Sequence, residues 1–401
     1  MQDLKFSAEV KSAPPKALLD YVKSLKTVPA DDPRSFIQAS SDEKMMAVIF
    51  EAANRYRGFN PKNVVLIGIG GSNLGALAIY SALKQKGAGE ILFVDTIDSR
   101  NLERILGKID KTSLIVIVSK SGTTAETIAN AAAILDRFPG NKAVAITDAG
   151  SKLWRWAEKR GLEHLEIPKA VGGRFSTFTA VGLFPLAVAG IDIKKLIIGV
   201  KKATDVCLLE DSSQNPALVS ALAIYENYKK GQTIYDLFIF EPDLEMIGKY
   251  CRQLIGESLG KDGKGITPTV SIGTADLHSV GQLYLGGPKD KFTTFLSVKN
   301  HGADFVIPNK TSIAELVPDL AEKKFSEALA ATLNGVKAAY RKKDLPFSAI
   351  ELAEISEGTI GAFLAMKMLE TVYLGKLLNV NAFDQPAVES YKEETRKLLS
   401  K

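Results

Sequence analysis

The fold is decided by Val64-Val-Leu-Ile-Gly-Ile-Gly-Gly-Ser-Asn-Leu-Gly75 and Leu114-Ile-Val-Ile-Val-Ser-Lys-Ser-Gly-Thr-Thr124. Each stretch begins with a run of branched apolar residues, which is typical of a buried parallel strand, and ends in a turn rich in Gly, Ser or Thr. Helical sequence rich in alanine follows both turns. A helix that begins at such a turn exposes unpaired N–H groups, and nearby hydroxyls add further donors. The sequence therefore predicts two strand-to-helix turns that hold an anion.

The spacing of the glycines argues against a nucleotide. A dinucleotide-binding G-x-G-x-x-G pattern that begins at Gly68 requires glycine at position 73, where this chain has Asn73. A nucleotide P-loop requires Gly-Lys-Ser/Thr, but Gly75 is followed by Ala76. The hydroxyl-rich segment 119–124 is better suited to a single phosphate on a small molecule. Two ordinary helix caps would also explain these turns, because Ser and Thr are favoured N-cap residues.

Composition favours a metabolic protein of two domains that binds neither nucleic acid nor membrane. The 401 residues exceed the size at which a single core usually divides. The net charge of +5 comes from 51 basic and 46 acidic residues that are well mixed, unlike a nucleic-acid-binding surface. The longest apolar stretch, Ala180 to Ile191, is too short to span a bilayer and contains Pro185, so we expect a buried helix. Cys207 and Cys251 are too few for a disulfide framework, which favours a cytoplasmic setting.

The order of apolar runs predicts an α/β fold with two doubly wound parallel sheets, flanked by N- and C-terminal helical segments. Helical sequence is expected over about residues 5 to 55, a mixed connector from Lys194 to Gln214, and helix again at the end of the chain. The expected strands are near Val64, Ile91, Leu114, Ala143–Thr147, Thr233–Phe240, Val270–Ile272 and Phe292–Val298. The corresponding domain boundaries are 1–45 for the N-terminal helical segment, 46–200 and 201–385 for the two α/β domains, and 386–401 for a C-terminal helix.

Three further residues are candidates for chemistry. Glu257 ends a helical stretch among small residues, Arg174 follows two glycines, and His278 follows a predicted strand. Each of them alone could also be an ordinary surface residue. The histidines lack the spacing of a metal site, and no G-x-S-x-G motif supports serine hydrolysis.

Together these segments resemble the glucose-6-phosphate isomerase (phosphoglucose isomerase) family, which is built of two sugar-isomerase (SIS) domains. The resemblance covers roughly residues 45 to 395. One departure is Ala387, where the family usually has glycine and where the extra methyl could crowd the loop. The motifs that match in family order are Gly68-Ile-Gly-Gly-Ser-Asn-Leu-Gly75, Ser119-Lys-Ser-Gly-Thr-Thr124, Gly172-Gly-Arg-Phe-Ser176, Gln253-Leu-Ile-Gly-Glu-Ser258, Gly273-Thr-Ala-Asp-Leu-His278 and Phe383-Asp-Gln-Pro-Ala-Val-Glu-Ser-Tyr-Lys392.

The resemblance implies a role for each matched residue. Glu257 corresponds to the base that moves a proton between C2 and C1, and Arg174 corresponds to the cation beside the enediolate oxygens. His278, assisted by Lys392, would open the sugar ring. The resemblance also implies a homodimer in which His278 reaches the site of the partner subunit, and a reaction without metal or organic cofactor. The remaining residues would bind the sugar phosphate: Gly71, Ser72, Ser119, Lys120, Ser121, Thr124, Gln253 and Gln385.

Three other functions share features with glucose 6-phosphate isomerisation. A related isomerase acting on mannose 6-phosphate is hard to separate, because small pocket changes admit one epimeric hydroxyl. An amino-sugar enzyme would need a nitrogen source for which this length has no domain. A non-catalytic phosphosugar sensor would keep segment 119–124 but would not need Glu257, Arg174, His278 and Lys392 together.

Overall fold

A computed structural model describes residues 3–84, 89–309 and 312–400. Two five-stranded sheets organise this part of the chain. Its strands are β1 (Leu4–Ala8), β2 (Asn63–Ile67), β3 (Glu90–Val94), β4 (Leu114–Val118), β5 (Ala143–Thr147), β6 (Glu163–Glu166), β7 (Ile234–Ile239), β8 (Thr267–Ile272), β9 (Lys291–Asn300) and β10 (Phe347–Glu354).

Helices cover the sheets and join the strands. In chain order they are α1 (Lys16–Ser24), α2 (Phe36–Ala39), α3 (Glu43–Gly58), α4 (Leu74–Leu83), α5 (Ser99–Leu106), α6 (Ala125–Arg137), α7 (Lys152–Lys159), α8 (Ala180–Val188), α9 (Ile193–Cys207), α10 (Pro216–Tyr228), α11 (Glu245–Leu259), α12 (Gly281–Gly286), α13 (Phe325–Lys342), α14 (Glu357–Leu378) and α15 (Val388–Leu399). Within the described ranges, no helix combines the length and apolarity that crossing a membrane requires.

The first sheet is entirely parallel, with the order β3-β2-β4-β5-β6. Every residue of β2 is buried. Val64 and Leu66 belong to one apolar core, whereas Val65 and Ile67 belong to a second core on the opposite face. A strand covered on both faces is continuously apolar, which explains the branched runs in the sequence. The chain continues from β2 to β3 on one side of the sheet and from β4 to β5 on the other. The two glycine- and hydroxyl-rich turns after β2 and β4 therefore lie at the switch point of the sheet, where ligands bind in folds of this kind.

The second sheet has the order β1-β10-β9-β7-β8 and is parallel except for its edge strand β1. The prediction of two mostly parallel α/β sheets is confirmed, as are all seven predicted strands and the buried helix at Ala180–Val188. The predicted domain boundaries stay predictions.

Four details of the predicted organisation were wrong. The N-terminal segment begins with a strand, β1, because Leu4 and Phe6 alternate with polar residues and pair with the edge of the distant β10. The sequence reading also missed β6 and β10, which are partly exposed and rich in polar residues. The expected connector from residue 194 is helix α9 over most of its length, because its apolar face packs on α14.

Candidate active site

The segment after β4 brings hydroxyl groups to the beginning of α6. Ser119 is fully buried, and its Oγ lies 2.9 Å from Thr124 Oγ1. Thr124 occupies the N-cap position of α6, and Ser121 is exposed beside it. Gly122 has φ +69°, and a Cβ at this position would lie 2.7 Å from the backbone nitrogen of Leu153. Only glycine therefore suits this turn. Ser119, Ser121, Thr124 and the N-terminus of α6 are called the cradle below, because hydroxyls and helix N–H groups of this kind are donors suited to an anion.

Lys120 lies within this cradle but directs its ammonium group to another segment. Its Nζ donates hydrogen bonds of 2.8 Å to the carbonyl oxygens of Lys169 and Val171. Burial lowers the pKa of Lys120, while the carboxylate of Asp148 partly offsets this effect. An ammonium group has three donors, and these two bonds use two of them.

The turn after β2 is a short 3-10 helix, Gly70–Ser72, that meets the segment carrying Arg174. A Cβ at residue 71 would lie 2.2 Å from the carbonyl carbon of Gly173 and 2.5 Å from the backbone nitrogen of Arg174. Glycine at position 71 therefore allows its backbone to contact the backbone of Gly173 and Arg174. Any side chain at this position would push the segment that carries Arg174 away. Ser72 is half-buried at the same turn.

Arg174 is a buried cation whose donors are nearly all occupied. Only 2% of its side chain is exposed. Nε donates to Ser258 Oγ at 2.8 Å, and Nη2 donates to the carbonyl oxygens of Ala382 at 2.6 Å and Asp384 at 3.0 Å. Nη1 donates to Gln385 Oε1 at 2.7 Å. Guanidinium has five N–H donors, and the remaining one, on Nη1, faces the carboxylate of Glu257.

The Glu257 carboxylate faces Nη1 of Arg174. Its Oε2 lies 3.5 Å from Arg174 Nη1, and its side chain is 39% exposed. Gln253, one turn earlier on α11, donates from Nε2 to Glu257 Oε1 at 3.2 Å. Burial lowers the pKa of Arg174, and the Glu257 carboxylate opposes that shift. The site thus contains an accessible carboxylate beside a fixed, buried positive charge.

The loop that carries Gln385 is fastened by Lys261, a residue that sequence reasoning did not single out. Its Nζ donates to the carbonyl oxygens of Ser258 at 2.8 Å and of Asn381, and it pairs with Asp384 Oδ1 at 3.1 Å. Lys261 follows Glu257 closely in the sequence, but its partners on this loop, Asn381 and Asp384, are more than a hundred residues away, so spacing alone carried no signal for this contact.

An open cleft of about 460 Å³ adjoins Glu257. Leu74 and Pro268 supply apolar surface there, while Gln253 and Arg252 supply polar groups. A small polar molecule can therefore reach the carboxylate from solvent.

His278 and Lys392 make other contacts than those of this centre. His278 is exposed at the end of a short 3-10 helix, Ala275–His278, that follows β8. Lys392 lies on α15, and its Nζ donates to Glu389 Oε1 at 2.7 Å. Across the described ranges, no hydrogen bond or ion pair joins either side chain to Arg174 or Glu257. The chain therefore assembles Arg174, Glu257, Gln253, Gln385 and Gly71 by direct contact, but not His278 and Lys392.

Comparison with known proteins shows the family of this chain. Residues 39–291 match the family model described as phosphoglucose isomerase. The chain belongs to the phosphoglucose isomerase family. It is 38% identical to the glucose-6-phosphate isomerase of Methanocaldococcus jannaschii over 87% of each chain. It is also 33% identical to the glucose-6-phosphate isomerase of Rubrobacter xylanophilus, over 91% of this chain and 89% of the relative.

Two solved structures have a similar fold over most of the chain. A hypothetical protein from Thermus thermophilus is 30% identical, with a TM-score of 0.88 over 96% of this chain and 94% of that one. A glucose-6-phosphate isomerase from Chlamydia trachomatis is 22% identical and superposes with a TM-score of 0.81 over all of this chain and 82% of that one. The second likeness shows a shared fold.

Proposed function

We propose that this phosphoglucose isomerase family member interconverts D-glucose 6-phosphate and D-fructose 6-phosphate through a cis-enediolate. The observation that carries the proposal is the accessible Glu257 carboxylate 3.5 Å from the buried Arg174 guanidinium. A proton next to a carbonyl is weakly acidic, so a base removes it only where the developing oxyanion is stabilised. Glu257 and Arg174 are suited to these two tasks.

In this proposal the phosphate group sits on the cradle formed by Ser119, Ser121 and Thr124. The N-terminus of α6, which is 13 residues long, adds backbone donors and a positive electrostatic potential. Gly71 and Ser72 border the sugar, because their turn contacts both the segment that carries Arg174 and, through Gly68, the end of β4 that precedes the cradle. Binding the phosphate fixes the reacting carbons relative to Glu257.

Proton transfer follows from the two groups at the centre. Glu257 removes the proton from C2 of the open-chain aldose, and the electrons move to the C1 oxygen. The N–H of Arg174 Nη1 that faces Glu257 then donates to the enediolate oxygens, since protonation of Glu257 weakens its pairing with Arg174. A proton passes between the two oxygens, and Glu257 returns its proton to C1 to give the ketose. Gln253 and Gln385 hold the carboxylate and the guanidinium and hydrogen-bond the sugar. These steps move protons only, so they need no electron carrier.

Ring opening requires a further acid or base, which we assign to His278 with Lys392. Imidazole suits this step because it exchanges protons near neutral pH. We infer a homodimer in which His278 enters the site of the partner subunit. Two features support this inference: His278 is exposed, and so are several large apolar side chains of one segment, Phe305, Val306, Ile313, Leu316, Val317 and Phe325. Exposed apolar surface of this extent is typical of an interaction site.

A cytoplasmic setting also stays a prediction. Its support is that Cys207 and Cys251 are both free and buried thiols. Burial raises the pKa of each thiol to about 12, so neither is a reactive thiolate at neutral pH.

A coupled assay tests the proposed reaction. Purified, metal-stripped protein is supplied with fructose 6-phosphate, and the glucose 6-phosphate formed is measured, with mannose 6-phosphate as a parallel substrate. Turnover of fructose 6-phosphate without added metal is the expected result, and conversion of mannose 6-phosphate as well would extend the activity to both substrates. Binding of the sugar phosphate without turnover would contradict the proposal and indicate a sensor.

A further inference from the structure

Lys120 connects the two halves of the site that the proposed function separates into phosphate binding and chemistry. It lies between Ser119 and Ser121 in the cradle, but its Nζ donates to Lys169 and Val171, 49 and 51 residues further along the chain. Val171 is buried and precedes Gly172, Gly173 and Arg174. The side chain of Lys120 is therefore a direct link between the cradle and the segment that delivers the catalytic cation.

Both ends of Lys120 are fixed. Its own carbonyl oxygen accepts hydrogen bonds of 3.2 Å from Thr147 Oγ1 and from the backbone nitrogen of Asp148. The backbone of Lys120 is thus attached to the end of β5 inside the first sheet. Burial lowers the pKa of its ammonium group, yet the group is kept beside two carbonyl oxygens and near Asp148. Burying a charged group costs free energy unless it is hydrogen-bonded. The two carbonyl oxygens satisfy the half-buried ammonium group of Lys120, which thereby connects the cradle with residues 169 and 171.

The segment before Arg174 contains two glycines, so contacts from other segments help to fix its conformation. Gly172 and Gly173 have no side chains with which to anchor the backbone, and glycine gives a chain more conformational freedom than any other residue. On the far side of this pair, Arg174 is held by Ser258 and the loop at Ala382–Gln385. On the near side, the backbone nitrogen of Val171 donates to the carbonyl oxygen of Pro168, and Lys120 supplies the two side-chain hydrogen bonds to the carbonyl oxygens of residues 169 and 171.

We propose that Lys120 is a positioning residue that ties the Arg174 segment to the phosphate cradle, instead of acting as a phosphate ligand. The proposal rests on the proposed isomerase function for its catalytic consequence. Phosphate bound at the cradle then lies at a fixed distance from Arg174, so the binding energy of the phosphate is used to align the enediolate with its cation.

The test compares Lys120→Met with Lys152→Met and Thr124→Ala. Lys120→Met keeps the length of the side chain but removes its donors. Lys152 is an exposed lysine at the start of α7, next to Leu153, which contacts Gly122, so Lys152→Met removes an equal charge near the cradle.

We expect Lys120→Met to lower kcat by about 10- to 100-fold, because small misplacements of catalytic groups have effects of that size. The dissociation constant of inorganic phosphate should change less than about twofold, whereas Thr124→Ala should weaken phosphate binding about tenfold. Lys152→Met should change neither value.

Hydrogen exchange provides a measurement that does not require turnover. Amides of residues 169–176 should exchange faster in Lys120→Met than in the wild type or Lys152→Met, because the segment has lost its two side-chain hydrogen bonds to Lys120. If the wild type itself failed to turn over fructose 6-phosphate, the proposed function would fail, but exchange and phosphate binding would still decide the role of Lys120.

Lys120→Arg covers the case in which Lys120→Met does not fold. A guanidinium keeps donors for both carbonyl oxygens, so this variant should keep phosphate affinity and restore much of the lost kcat. The proposal is overturned if Lys120 variants lose phosphate affinity as strongly as Thr124→Ala, or if kcat and exchange in residues 169–176 both stay at wild-type values.

Discussion

The surroundings of Arg174 and of His278 differ more than any other two parts of the candidate site. Arg174 is 2% exposed and bonded to Ser258, Gln385 and two backbone carbonyls, all within one chain. His278 is exposed at the end of a short turn. A single chain therefore supplies every contact that fixes the Arg174 guanidinium, which is the half of the site assigned to charge stabilisation. The half assigned to ring opening lies on the surface, as expected for a group that works on a neighbouring subunit.

The largest expected effect is at the carboxylate that faces Arg174. Glu257→Gln keeps the shape of the side chain and its contact with Gln253 but cannot accept the C2 proton, so kcat should fall about 10³-fold or more. Affinity for an inert sugar phosphate should change little. The matched control is Glu245→Gln, which alters an exposed carboxylate on the same helix, paired with Lys249. Turnover close to wild type in Glu257→Gln would remove Glu257 from the mechanism.

Arg174→Lys tests whether the buried network is required in full. Lysine retains the charge but cannot bond Ser258, Gln385 and the two carbonyl oxygens together, so kcat should fall about 10²- to 10³-fold. Buried acceptors left without donors cost about 1–3 kcal/mol each, so Tm should also fall. Arg104→Lys, at an exposed position on α5, serves as the control. Unchanged kcat and Tm would show that charge alone suffices and that the network is incidental.

His278→Ala examines the exposed half of the comparison. Loss of the imidazole should reduce turnover of cyclic fructose 6-phosphate about 10²-fold, since general acid–base groups contribute on that scale. An open-chain substrate analogue should be affected much less. His164 lies on β6 with its ring edge-to-face against Trp154, and it gives the matched control His164→Ala. Equal losses on cyclic and open-chain substrates would contradict a role in ring opening.

The cradle should influence binding more than chemistry. Replacing Ser121 and Thr124 together by Ala removes two hydroxyl donors but leaves the N-terminus of α6, so KM should rise about tenfold or more with a smaller change in kcat. Steady-state kinetics and titration with inorganic phosphate measure the two effects separately. A wild-type affinity for phosphate in the double variant would refute the assignment of the cradle.

The smallest effect is expected at Ala387, where the sequence departs from the family pattern. Ala387 is exposed and has φ −63° and ψ −27°, an ordinary helical conformation, so its methyl group does not crowd the loop. Ala387→Gly should leave kcat and KM within about twofold and lower stability by about 0.5–1 kcal/mol through the flexibility of glycine. Thermal unfolding and the coupled assay measure both values. A large gain in activity would show that the methyl does constrain Gln385.

The sequence predicted those parts of the molecule whose signal is local. Val64–Ile67 and Leu114–Val118 are apolar without interruption because both faces of their sheet are covered, and the motifs around Arg174 and Glu257 identified the charged centre. Strand β1 was missed because it is short and partly exposed, and its partner β10 lies more than 300 residues away. Lys261 and the true partners of Lys120 were missed because side-chain destinations depend on segments that meet only in the folded chain.

The most direct test of the proposed site shared between two subunits combines two impaired variants in one mixed species. Glu257→Gln and His278→Ala chains carrying different affinity tags are co-expressed, and the mixed species is purified through both tags. One of its two sites then contains an intact Glu257 from one chain and an intact His278 from the other. We expect turnover of up to about half that of the wild-type dimer, because a symmetric dimer has two equivalent sites. A mixed species as inactive as its two parents would contradict the donation of His278 across the interface.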